Sequence, residues 1–108
     1  MALQNNYDLK SVTYGNTFLG VRFNLPHQSN CSLIGAIVTM QIRTSPDTAA
    51  VATYVLPHID EYSFQILPFV VKIKAGTYDY DILISFPDGR EKTWVGGTWL
   101  IEPAITKK

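Results

Sequence analysis

Cysteine is almost missing from this chain. Cys31 stands alone in 108 residues, so no intramolecular disulfide can form. A disulfide-stapled secreted scaffold is thereby excluded. Charge is also scarce and is balanced, with nine Lys and Arg against nine Asp and Glu. A nucleic-acid partner needs a basic field to meet phosphate, and the sequence supplies none. No apolar run approaches the ~20 residues that cross a bilayer as a helix, so no membrane partner is expected. The opening "MALQNNYDLK" lacks the basic start and apolar centre of a secretory leader. Asn30 heads an Asn-Cys-Ser sequon, which is read as chance without such a leader. Helical patterning with start and stop signals is missing as well. So are internal repeats, low-complexity tracts and linkers, which predicts a single domain over residues 1–108.

Hydrophobic residues make up 46% of the chain, which excludes disorder and leaves enough apolar side chain for one ordinary core. Their period is two almost everywhere. Leu19, Val21 and Phe23 alternate with Gly20 and Arg22 after an opening Thr17-Phe18. Ile34, Ala36, Val38, Met40 and Ile42 share one parity. So do Tyr62, Phe64 and Ile66, and then Tyr78, Tyr80, Ile82, Ile84 and Phe86. Such alternation marks strands half-buried against a core. "AVATYVL", "FVVKI" and "KTWVGGTWLI" add β-branched and aromatic runs. The segments "PHQSN", "SPD", "PHIDE", "KAG" and "PDG" read as turns between them. Strands at this spacing predict an all-β fold, an immunoglobulin-like antiparallel β-sandwich of about seven to eight strands.

The segment "AGTYDY" fits the corner of such a fold. A tyrosine early in the penultimate strand bonds back to the backbone before it. Tyr78 takes that place, Gly76 allows the approach, and Tyr80 is expected to serve mainly as core filling. Asp88-Gly89 then predicts a hairpin turn, because glycine supplies positive φ. In the last strand both parities carry bulk, with Trp94 on one and Trp99 on the other. Gly96-Gly97 between them predicts a bulge that re-aims one ring, or a place where another backbone or ligand comes close. At least one tryptophan is expected near the surface, where it would anchor an interface together with the glycine pair.

Residues with reactive chemistry are dispersed. His27 and His58 each follow a proline, and "HIDE" has no paired metal-ligand spacing, so no metal is expected. Cys31 has no nearby histidine to activate it. Asp79 and Asp81 point to one face of a strand, as a glycosidase pair would require, but solvated aspartates also belong on an outer face. Arg90 and Lys92 near Trp94 could form cation–π contacts. The sequence therefore predicts no catalytic residue and no cofactor.

"LIGAIVTMQIR", "AGTYDYDILISFPDG" and "WVGGTWLIEPAIT" together resemble the immunoglobulin-like N-terminal domain of tailed-phage baseplate upper proteins. The similarity runs from about Asn16 to Thr106. In those proteins more chain follows the domain, whereas this sequence stops at "ITKK". The resemblance implies a stand-alone, non-enzymatic virion structural protein in the tail, baseplate or host-attachment apparatus, made in the host cytoplasm. It would dock onto copies of itself or onto other virion proteins by strand addition at a sheet edge. A carbohydrate-binding β-sandwich module is the alternative, from the Trp94 and Trp99 aromatics. Since Cys31 has no partner within the chain, thermal unfolding should give the same midpoint with and without reductant. A midpoint that falls on reduction would reveal a bridge between copies.

Overall fold

The computed structural model describes residues 5–28, 31–44 and 49–104. The Asn30 sequon, the Ser45–Asp47 turn and the closing "ITKK" lie outside the described residues. The structure is all-β, with no α-helix among the described residues. The strands are β1 (Asn5–Asn6), β2 (Leu9–Thr13), β3 (Thr17–Phe18), β4 (Val21–Asn24), β5 (Ile37–Arg43), β6 (Ala52–Leu56), β7 (His58–Asp60), β8 (Ser63–Ile66), β9 (Phe69–Val70), β10 (Gly76–Ser85) and β11 (Glu91–Glu102). A six-stranded sheet runs β1-β11-β10-β5-β6, and β2 also pairs with β11. A three-stranded sheet runs β4-β8-β7, and β3 pairs with β9.

Alternation builds the core. Along β10, Tyr78, Tyr80, Ile82 and Ile84 are buried, while Asp79, Asp81, Leu83 and Ser85 are half-buried on the other face. Val38, Met40 and Ile42 of β5 and Val95, Trp99 and Ile101 of β11 join them. From the smaller sheets come Phe18, Phe64 and Ile66, so all the sheets feed one cluster. Each such side chain contributes about 1.5–3 kcal/mol of burial, which makes this shared core the main favourable term.

The structure departs from the expected pattern where glycine breaks a strand. Leu19 does not share a face with Val21 and Phe23; it is exposed, whereas Phe18 is buried. Gly20 causes this. Its φ is +84°, and a Cβ there would stand 2.2 Å from the Ile66 carbonyl oxygen. The chain therefore kinks between β3 and β4, opposite a matching break at Leu67-Pro68 between β8 and β9. Gly35 likewise separates exposed Ile34 from the β5 alternation. Residues 58–60, expected as a turn, form β7 against β8.

Pairing is not antiparallel throughout. β1 and β2 run parallel to β11, with Asn5 beside Val95 and Leu9 beside Trp99. No turn signal foretells this contact, because the partners are remote in sequence. The strand is seated by specific bonds. Tyr7 N–H donates to the Gly96 carbonyl at 2.9 Å, and Tyr14 N–H donates to the Glu102 carbonyl at 2.8 Å. Thr98 N–H donates to the Asp8 carboxylate at 3.0 Å, and the Trp99 indole N–H donates to the Lys10 carbonyl at 2.9 Å. Gly97 lies directly beneath. A Cβ there would approach the Tyr7 carbonyl oxygen to 2.5 Å. Gly97→Ala should therefore lift the N-terminal strand and cost about 1–3 kcal/mol, as overpacking does. The loss would appear in the denaturant midpoint and as faster amide exchange across Leu9–Thr13. An unchanged midpoint would show that the strand is not held there.

Candidate functional site

The anticipated site residues all lie on the paired strands β10 and β11, where Tyr78 stands beside Trp99, but their side chains serve different ends. Gly76 opens β10, and the Tyr78 hydroxyl donates to the Lys74 carbonyl, closing the corner that precedes the strand. Tyr80 has a second task beyond filling the core. Its hydroxyl donates to the Tyr7 carbonyl, which ties β10 to the N-terminal strand. Tyr80 does fill the core as expected, and its hydroxyl adds a bond that the expectation did not include.

Trp94 and Trp99 both lie on the last strand but have different fates. Trp99 is 1% exposed and fills the core, so it offers nothing to a partner. Phe18 meets its ring edge-on at a centroid distance of 5.2 Å. Trp94 is half-buried at the rim of the core. The register along β10 slips between Ile82 and Leu83, which pair with Val95 and Thr93, so Trp94 is itself the extra residue of a bulge. The bulge lies before the glycine pair rather than on it. Gly97 serves the close approach of a backbone, and that backbone belongs to residues 7–8 of the same chain. β11 has β10 on one side and β1 and β2 on the other, so it presents no open edge over that span.

Three surfaces among the described residues combine features that could engage a ligand or a partner. The first is a cleft of about 430 Å³ beside Trp94, walled by Tyr7, Phe23 and Val21, with Asn6, Arg22 and Asn24 at its mouth. The Lys92 ammonium stands 5.7 Å from the Trp94 ring centroid, while Arg90 covers Phe86 at 4.4 Å. The second is the outer face of the large sheet, where Asp79, Asp81, Asp8, Gln41 and Arg43 line a hollow of about 480 Å³. Arg43 there donates to Gln41. Asp8 already accepts the Thr98 N–H.

The third surface is β6. It ends the sheet order, and among the described residues no strand pairs its far side. Val55 is 73% exposed and Val51 is also exposed. Ile37 on β5 is exposed on the same face, diagonal to Val55. From Thr48 to Pro57 the chain carries no charge. The β-branched run "AVATYVL" marks the strand in the sequence, but its alternation does not say that one side of it is left unpaired.

The remaining candidates lie apart. Among the described residues no cluster of His, Cys, Asp and Glu could hold a metal. His27 stacks on Tyr62 at 4.6 Å. The Tyr62 backbone N–H, then Ser63 and Arg22, hold the Asp60 carboxyl below its ordinary value. Cys31 is buried and free. No protein-family model matches the chain, and no curated protein matches it.

Burial, and then the neighbouring Tyr7 and Asp8, hold the Tyr80 phenol well above its ordinary value of 10.0. The folded state thus favours the protonated phenol. This stabilisation is fully present below about pH 10 and is lost as pH rises further. Burial raises Tyr54 in the same direction. Tyr80→Phe should cost about 0.5–1.5 kcal/mol at neutral pH, for one lost hydrogen bond. It should also flatten the alkaline loss of stability. An alkaline limb as steep as that of the parent protein would show that Tyr80 does not titrate as described.

Proposed function

We propose that the chain is a non-enzymatic structural module that assembles with a second copy of itself through the edge of β6. One observation carries this reading: β6 is an uncharged, outward-facing edge with Val51 and Val55 exposed. An unpaired edge templates another strand, and protected edges usually carry a lysine, a proline or a bulge. β6 carries none of these, and zero net charge leaves little long-range repulsion between copies. Centred on Thr53, an antiparallel two-fold pairing sets Val51 of each copy opposite Val55 of the other. Such cross-strand pairs of β-branched residues are stabilising.

The fold reading behind the proposal is an immunoglobulin-like sandwich. The order β11-β10-β5-β6 against β4-β8-β7 supports it, because variable-type immunoglobulin sheets follow this plan. The Tyr78 bond to the Lys74 carbonyl supports it as well, since it matches the corner tyrosine of that fold. The resemblance to phage baseplate upper proteins extends the proposal to a tailed-phage virion, in the tail, baseplate or host-attachment apparatus, with other virion proteins as further partners. Mass spectrometry of particles assembled from the encoding genome tests this extension. Its absence from such particles would contradict the virion assignment.

Thr53→Lys places like charges face to face at the centre of the proposed pair. Thr53 is exposed, so the fold itself should tolerate the change. Sedimentation should show a species of twice the 12.1 kDa chain mass for the parent protein and a monomer for T53K. Mixing T53K with T53E should restore the pair. A monomeric parent protein, or a T53K variant that pairs unchanged, would contradict assembly through β6.

A further inference from the structure

We infer that the cleft beside Trp94 binds a pyranose ring of a glycan. The cleft lies at the β1–β11 end of the large sheet, whereas β6 closes the other end. The inference is therefore independent of edge pairing, and copies joined through β6 would leave the cleft uncovered.

Its volume of about 430 Å³ lies within the roughly 300–1,000 Å³ of small-molecule sites. The walls are aromatic and are held in place. Tyr7 stands edge-on to Phe23 at a centroid distance of 5.7 Å. Phe23 in turn stacks on fully buried Phe64 at 5.3 Å, which anchors that wall in the core. Trp94, the extra residue of the bulge, lines the same cleft and is half-buried there. Aromatic faces carry negative quadrupole density, and the C–H face of a pyranose is weakly positive, so the two stack.

The mouth supplies the complementary polar groups. Arg22 is fixed by Asn24 Oδ1 at 3.2 Å, by Ser63 Oγ at 3.3 Å and by the Asp60 carboxylate at 3.7 Å. Asn24 is exposed and its Oδ1 accepts from Arg22, so its amide nitrogen is the group it can offer a ligand. Asn6 adds a second amide with both a donor and an acceptor. Vicinal hydroxyls of a sugar both donate and accept, so amides lining a cleft with aromatic walls can read them. A proline-rich peptide would use the aromatic walls but not this polar mouth.

The indole N–H resonances of Trp94 and Trp99 report separately on the cleft and on the core. Cellobiose, N,N′-diacetylchitobiose, digalacturonic acid and an oligoproline peptide serve as probes in nuclear magnetic resonance titrations. At least one saccharide should shift Trp94 while leaving Trp99 unmoved. Asn6 and Asn24 are exposed, so Asn6→Ala and Asn24→Ala should keep the fold and each weaken that binding about tenfold, the loss of one hydrogen bond. Trp94→Ala should abolish it. The inference is overturned if no saccharide shifts Trp94, if oligoproline alone does so, or if both asparagine variants bind the saccharide unchanged.

Discussion

Trp99 heads the fully buried side chains by volume, and it brings an indole N–H into the core. A buried donor without an acceptor costs about 1–3 kcal/mol, so the fold has to deliver an acceptor to it. The acceptor is the Lys10 carbonyl, which reaches Trp99 only if residues 9–13 lie along β11. Tyr80 imposes the same requirement one strand further in, through the Tyr7 carbonyl. Gly97 makes room for the approach. The parallel seating of the N-terminal strand is thus required by the polar atoms of two core aromatics and permitted by one glycine.

That seating makes the two ends of the large sheet unequal. At one end β1 and β2 cover β11, so its backbone groups are paired there and Trp99 is sealed. The same segment carries Asn6 and Tyr7 to the lip of the Trp94 cleft, giving that end a shaped polar and aromatic surface. At the other end, among the described residues, no strand pairs the far side of β6, and its outward face is uncharged. An assembly that uses the open edge leaves the shaped end facing outward. The proposed functions of pairing and glycan capture are compatible for this reason.

Much of the fold could be read from the sequence because period-two alternation is a local signal. β10 obeys it residue by residue from Tyr78 to Ile84, and β5 obeys it from Val38 to Ile42. Asp88-Gly89 marked the turn between β10 and β11. The local signal failed where glycine reset the parity, at Gly20 and Gly35. It failed again at β7, where "HIDE" has turn composition but finds a partner in β8. The parallel N-terminal strand could not be read, since its partners on β11 lie 89 or 90 residues away. For the candidate surfaces, Trp94 was visible as an aromatic with broken alternation. Tyr7, Phe23 and the asparagines beside it come from distant segments, so no spacing reveals them.

Amide hydrogen exchange followed against protein concentration reads both ends of the sheet in one experiment. Amides within Ala52–Leu56 should gain protection as concentration rises, while those of Leu9–Thr13 should stay equally protected throughout. Protection that grows in Leu9–Thr13 instead, or that depends on concentration nowhere, would contradict a sheet sealed at β11 and open at β6.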